Sequence, residues 1–186
     1  MPPADRELER FIGPPLHETF AALLGPGGGH RVNEAITHYR ERFASTGMFE
    51  NAVYPGIREA LAQLRDAGAT LYVATSKPGK FAVPIIEHFD LADFFHSIHG
   101  SELDGTRSNK GELIAHLLKT ESLPPGATTM VGDRMHDVVG ARANGVLTVG
   151  VLWGYGSHEE LAAAGADVLC PEPSMLAQSV LMTRGS

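Results

Sequence analysis

The chain has 186 residues, enough for one domain plus a small satellite and a sizeable buried core. Its 22 acidic side chains outnumber 15 lysines and arginines, for a net charge of −7 and a pI near 5.7, which argues against a basic nucleic-acid face. No apolar run is long enough to span a membrane, the first residues lack a secretion signal's basic and apolar stretches, and the single cysteine, Cys170, allows no intrachain disulfide, so a cytoplasmic protein is expected.

Residues 4–47 carry helical periodicity and no strand pattern. Leu8 and Phe11-Ile12 close one apolar face, Leu16, Phe20, Leu23 and Leu24 form a second, and Val32, Ile36, Tyr39 and Phe43 a third. Pro14-Pro15 suits a helix start, and Gly25-Pro26-Gly27-Gly28-Gly29 a turn between helices. That glycine cluster follows a helix rather than a strand, so it reads as a plain loop and not a phosphate cradle.

From about Tyr54 the rhythm changes. Helices are predicted over 55–67, 80–88, 109–119, 135–143, 157–164 and 174–182, with short apolar strands over 70–74, 94–99, 128–131, 147–152 and 167–169. This alternation predicts an α/β fold: a Rossmann-like, mostly parallel sheet with helices on both faces, preceded by a small helical region. The hinge between the two falls between Gly47 and Pro55, and Cys170 reads as a small core residue at a strand end. Ligands of such sheets bind beyond the carboxyl ends of the strands. Thr75, Asp133 and the loop after Leu152 all fall there.

Asp133 and Asp137 follow the strand at Met130-Val131 and open a helix, Asp133 as its N-cap and Asp137 one turn on. Two carboxylates so spaced repel each other, and a hard divalent ion such as Mg2+ answers that repulsion with oxygen ligation. The alternative is an ordinary cap followed by an exposed acid. Thr75 and Ser76 end a strand, where hydroxyls and backbone N–H groups can bind phosphoryl oxygens or simply cap the helix that Lys77-Pro78 begins. Lys110 lies in the first turn of a helix, where the dipole disfavours cations. An anionic partner is one reason for a lysine there, a solvated surface position the other.

In order and spacing these residues resemble the motifs of the haloacid dehalogenase-like hydrolase family: Thr75 the second, Lys110 the third, and Gly132-Asp133-Arg134-Met135-His136-Asp137 the fourth. Tyr54-Pro55-Gly56, Ala74-Thr75-Ser76-Lys77-Pro78 and Gly150-Val151-Leu152-Trp153-Gly154-Tyr155-Gly156 resemble the phosphoglycolate phosphatase-like branch, which includes nucleotidases. The resemblance implies a magnesium-dependent phosphomonoesterase acting on a small phosphorylated metabolite through an aspartyl-phosphate. By it Asp133 and Asp137 are metal ligands, Thr75, Ser76 and Lys110 hold phosphate, and Thr75, Lys110 and Asp133 are catalytic. Residues 1–50 correspond to the helical cap, shortened at its start, with Gly13 and Pro14 facing substrate, and residues 51–186 to the α/β core.

The family's first motif, an apolar strand followed by the nucleophilic aspartate, has no counterpart in the sequence. The nearest look-alike, Glu102-Leu103-Asp104-Gly105-Thr106, has glutamate in the nucleophile's place and reads as a turn. The expectation is therefore a core lacking its central first strand and inactive as written. The competing readings are a non-catalytic remnant that binds phosphate or a partner, and a phosphomutase of the same fold.

Overall fold

The computed structural model describes Phe11 and residues 16–183, which divide into two compact units, Met1–Ala52 and Val53–Ser186. In the first, helix α1 (Leu16–Leu24) is followed by a turn with Gly25 at φ 68°, and then by helix α2 (Val32–Ser45). The two helices pack through aromatic rings: Phe20 meets Tyr39 edge-on at 6.0 Å, and Tyr39 stacks on Phe43 at 5.5 Å. Gly28 sits so close to Leu24 that a side chain there would overlap it, which explains a glycine in this turn without any phosphate. The faces expected at Leu8 and Ile12, and the substrate-facing Gly13 and Pro14, lie outside the described residues.

The second unit alternates strands and helices. Its elements are α3 (Ile57–Asp66), β1 (Tyr72–Pro78), α4 (Gly79–His88), β2 (Ser97–Ser101), α5 (Lys110–Thr120), β3 (Thr129–Gly132), α6 (Met135–Arg142), β4 (Leu147–Val151), α7 (His158–Ala164), β5 (Val168–Cys170) and α8 (Leu176–Thr183). Among the described residues all pairings are parallel, and the strands form two separate sheets, β1-β2 and β3-β4-β5. Val149 and Val151 of β4 pack with Cys170 against Ala60 and Leu64 of α3 and Leu176 and Val180 of α8. Ile114 and Leu118 of α5 pack with Ala141 of α6 and Val146. Helices thus form two apolar layers about the strands, as parallel pairing requires.

One boundary departs from expectation in the place that matters. Strand β1 does not stop before Thr75: its pairing with β2 slips by a bulge between Thr75 and Pro78, and Pro78 then pairs with Ser101. The helix begins at Gly79 and not at Lys77, because a residue before proline is held out of the helical region. Strand β2 also starts late, at Ser97, since Ala92–Phe94 winds into a 3-10 turn. Glu102 to Thr106 is a turn, with Gly105 at φ 93° and the Asp104 carboxylate accepting the Thr106 N–H at 2.9 Å.

Candidate active site

The site is built where β1 and β3 end. Lys110 is the first residue of α5, whose start is capped by Asn109; its Oδ1 accepts the N–H groups of Gly111 at 2.9 Å and Glu112 at 3.2 Å. From there the Lys110 ammonium donates to the Ala74 carbonyl in β1 at 2.9 Å and pairs with Asp137 Oδ1 at 3.0 Å. Both side chains of the pair are 11% exposed. Lys110 is therefore not a solvated surface lysine. It bridges the strand carrying Thr75 to the helix that follows β3.

Helices α5 and α6 approach closely enough to allow this. A side chain at Gly140 would crowd Lys110 and Gly111, and Asn144 donates to the carbonyls of both Gly111 (3.0 Å) and Gly140 (2.8 Å). Two glycines and an asparagine thus fix the lysine's starting point.

The two aspartates have different surroundings. Asp137 is buried, and its Oδ2 accepts the Arg134 N–H at 3.1 Å, so Arg134 and not Asp133 is the N-cap of α6. Arg134 adopts the extended backbone of a cap (φ −128°, ψ 155°), and Asp137 reaches back to it as the third helical residue. Relieved of capping, Asp133 has its Oδ2 accept the Tyr155 N–H at 2.8 Å. Gly132 is required because a methyl there would overlap the Asp137 side chain. Gly154 and Gly156 press on Asp133 in the same way, the first on its side chain and the second on its carbonyl oxygen. Burial, with Tyr155 and Asp133 nearby, pushes the Tyr54 phenol above its ordinary value.

The Thr75 hydroxyl accepts the Lys77 N–H at 3.2 Å, which leaves its own proton to donate. The Ser76 carbonyl accepts from the Ser101 hydroxyl at 2.8 Å, so the backbone beyond Thr75 is pinned to β2. Burial lowers the Lys77 ammonium from its ordinary value.

Residue-by-residue reading had missed Glu160. Ser157-His158-Glu159-Glu160 has the spacing of a capping box, and Ser157 Oγ does accept the Glu160 N–H at 3.1 Å. The Glu160 carboxylate, however, turns away to accept from Arg134 Nε at 2.8 Å and the Met135 N–H at 2.9 Å. Burial opposes its ionisation, and these bonds outweigh burial, holding its pKa below the usual range. Arg134 thus answers a neighbouring carboxylate. His136 is exposed on α6, and of the aromatics after β4, Trp153 packs on the core while Tyr155 is exposed.

The donor set suits a hard cation only in part. Asp133 Oδ1 accepts no hydrogen bond among the described residues, and carboxylate oxygen is the right chemistry. Asp137 already faces a lysine, and no three His, Cys, Asp or Glu side chains among the described residues gather around one point. An ion here would complete its shell with water, phosphate or a further carboxylate.

Comparison with known proteins gives a consistent set. Residues 1–151 match the family described as Haloacid dehalogenase-like hydrolase. A 5'-nucleotidase of Pseudomonas aeruginosa is 51% identical over 171 residues, which is 92% of this chain and 77% of that protein. The tyrosine-protein kinase PtkA of Mycobacterium tuberculosis is 44% identical over 146 residues, 78% of this chain and 49% of the kinase. The crystal structure of a predicted phosphatase from Clostridium acetobutylicum superposes with a TM-score of 0.89 at 40% identity, covering 95% of this chain and 82% of that one.

Proposed function

Because the chain belongs to the haloacid dehalogenase-like hydrolase family, we propose that its second unit is the phosphate-binding part of a magnesium-dependent phosphomonoesterase for small phosphorylated metabolites, nucleotides or phosphoglycolate among them. The observation that carries this is Lys110, whose ammonium sits at 2.9 Å from Ala74, next to Thr75, and 3.0 Å from Asp137. A cation held at the meeting point of two strand ends and two helix N-termini is poised for an anion.

In this reading Lys110 holds one phosphoryl oxygen electrostatically, the Thr75 hydroxyl donates to a second, and the backbone at Ser76 lies alongside. Tyr155 N–H fixes one oxygen of Asp133, and Asp133 Oδ1 with the Asp137 carboxylate would supply this chain's oxygen ligands to a metal. Magnesium, when bound, supplies neutralisation of the charge on the transferring group. The attacking carboxylate is not among these residues, since Asp104 is committed to its turn. Residues 1–50 are assigned to the family's helical cap by their sequence.

The 186-residue chain alone is expected to turn over phosphoglycolate, nucleoside monophosphates or p-nitrophenyl phosphate negligibly. Joined to an apolar strand ending in aspartate, it should gain magnesium-dependent hydrolysis, which Asp133→Asn removes. A folded, strand-bearing protein with no turnover on any of these would overturn the proposal. The kinase-named relative favours one second reading, in which the same site passes phosphate to a tyrosine and not to water. Label from a phosphate donor appearing on a tyrosine peptide distinguishes it.

A further inference from the structure

We infer that Gly100 and Ser101, the last two residues of β2, are positioning residues for phosphate, which shape the bulge in β1 that aims the Thr75 hydroxyl. Their role rests on the proposed phosphate site at Thr75, and neither touches the substrate. Strands β1 and β2 pair without a break from Tyr72 with Ser97 to Thr75 with Gly100, and the next pair is Pro78 with Ser101. Ser76 and Lys77 are therefore extra residues with no partner in the register. Such bulges bend a strand and re-aim its side chains. This one directly follows the residue assigned to phosphate. The Thr75 hydroxyl accepts the Lys77 N–H at 3.2 Å, so the place of the Lys77 nitrogen decides which way the hydroxyl's own proton can point.

Two features of β2 hold the bulge in shape. The first is the bare backbone at Gly100. A Cβ there would lie 2.5 Å from the Gly79 nitrogen and 2.6 Å from the Lys77 carbonyl oxygen. Both are main-chain atoms, which cannot swing aside as the end of a side chain can, so any larger residue displaces the chain over 77–79. Glycine inside a strand marks such a close approach of another backbone. The second is Ser101. Its register partner Pro78 has no N–H, so a ladder bond is missing there. The hydroxyl of the buried Ser101 donates instead to the Ser76 carbonyl at 2.8 Å. Successive residues of a strand face opposite sides, so the bulge is gripped from both.

Neither contact is needed to keep the two strands together, since four register pairs precede the bulge. Their effect is local, on the path of residues 76–79 and through it on Thr75. Asp133 is fixed from the other sheet, by the Tyr155 N–H and by the close packing of Gly154 and Gly156. Changes at Gly100 and Ser101 should therefore separate phosphate binding from metal binding.

The test uses the 186-residue chain and two probes: inorganic phosphate, followed by amide shifts at residues 75–79, and Mn2+, followed by water-proton relaxation. Gly100→Ala should weaken phosphate binding about tenfold or more, and Ser101→Ala about threefold, with Mn2+ affinity within about twofold of the parent's. Should Gly100→Ala not fold, Ser101→Ala, which removes a single hydrogen bond, decides the matter. Because Ser101 acts through Thr75, its effect on phosphate should vanish in a Thr75→Val background, whereas a serine that only stabilises the strand would lose as much in both. Unchanged phosphate affinity in the folded variants, phosphate and Mn2+ affinities falling in step, or equal losses in the two backgrounds each overturn the inference while the parent still binds phosphate. A parent chain with no saturable phosphate binding overturns the phosphate site itself, and the role of these two residues with it.

Discussion

The two sheets are held together by different means. Around β3-β4-β5 the backbone itself is the constraint: Gly132, Gly154 and Gly156 allow loops to touch the aspartates, and main-chain N–H groups of Arg134, Met135 and Tyr155 aim at carboxylates. Around β1-β2 the ties are side chains, above all the cluster in which Ser97 and His99 meet Glu121, the residue after α5, at 2.8 Å each. The glycine contacts are close packing with no freedom to rotate away, whereas a tie made by hydrogen-bonding side chains alone can rearrange. The half carrying Asp133 and Asp137 is therefore the more tightly packed one, and the half carrying Thr75 is the one that Lys110 must pull into place.

The largest effect should come from the tightly packed half. Gly156→Ala places a methyl on the Asp133 carbonyl oxygen, backbone that cannot rotate away, and should cost about 3 kcal/mol in urea unfolding. If Gly156→Ala is tolerated, the loop after β4 is not the clamp on Asp133. Next is the tie between halves. Lys110→Met leaves the buried Asp137 carboxylate without its cation and frees the Ala74 carbonyl, for a loss of about 2–3 kcal/mol. A double-mutant cycle with Asp137→Asn should recover much of it, because the charge left alone is the cost. Additive losses would mean that the pair is not coupled.

How much of this was legible in the sequence depends on range. The alternation of strands and helices came through because each element is patterned locally, and Gly132-Asp133-Arg134-Met135-His136-Asp137 stood out because its parts are adjacent. Lys110 was legible as an anomaly of helix electrostatics, but its partner was not, since Asp137 lies 27 positions on and only the crossing of α5 and α6 brings them together. The cap of α6 was misread for a local reason. Asp133 and Arg134 both precede the helix, and the choice was made by Asp137 reaching back to Arg134 while Tyr155 engaged Asp133. Glu160 could have been suspected from its capping-box spacing, but nothing in the sequence says that its carboxylate abandons Ser157 for Arg134.

Glu160 gives a smaller test of the same tightly packed half. Glu160→Gln retains one acceptor for the Met135 N–H or for Arg134 but loses the charge, and should cost about 1 kcal/mol. Metal affinity should fall with it, measured by titrating Mn2+ as a stand-in for Mg2+, because the loop carrying Asp133 relaxes. A stability loss with unchanged metal affinity would confine Glu160 to holding α7.

The smallest effect belongs to the side-chain half and appears only in acid. Bonds from Ser97 and His99, together with the nearby His99 and His96 rings, hold the Glu121 carboxyl below the usual glutamate range. A carboxyl depressed in the folded state contributes stability that is fully present above the unfolded value, about 4.3, and is lost as pH falls through the lower folded value. Urea midpoints followed downward from pH 6 should therefore decline below about pH 4.3, and Glu121→Gln should flatten that decline while leaving Asp133 and Lys110 untouched. If amide exchange followed across the same range opens β1-β2 before β3-β4-β5, protonation of one side-chain tie is enough to release the half that carries Thr75. Simultaneous opening of both sheets would instead mean that Lys110 couples them more strongly than the Ser97, His99 and Glu121 cluster holds either strand.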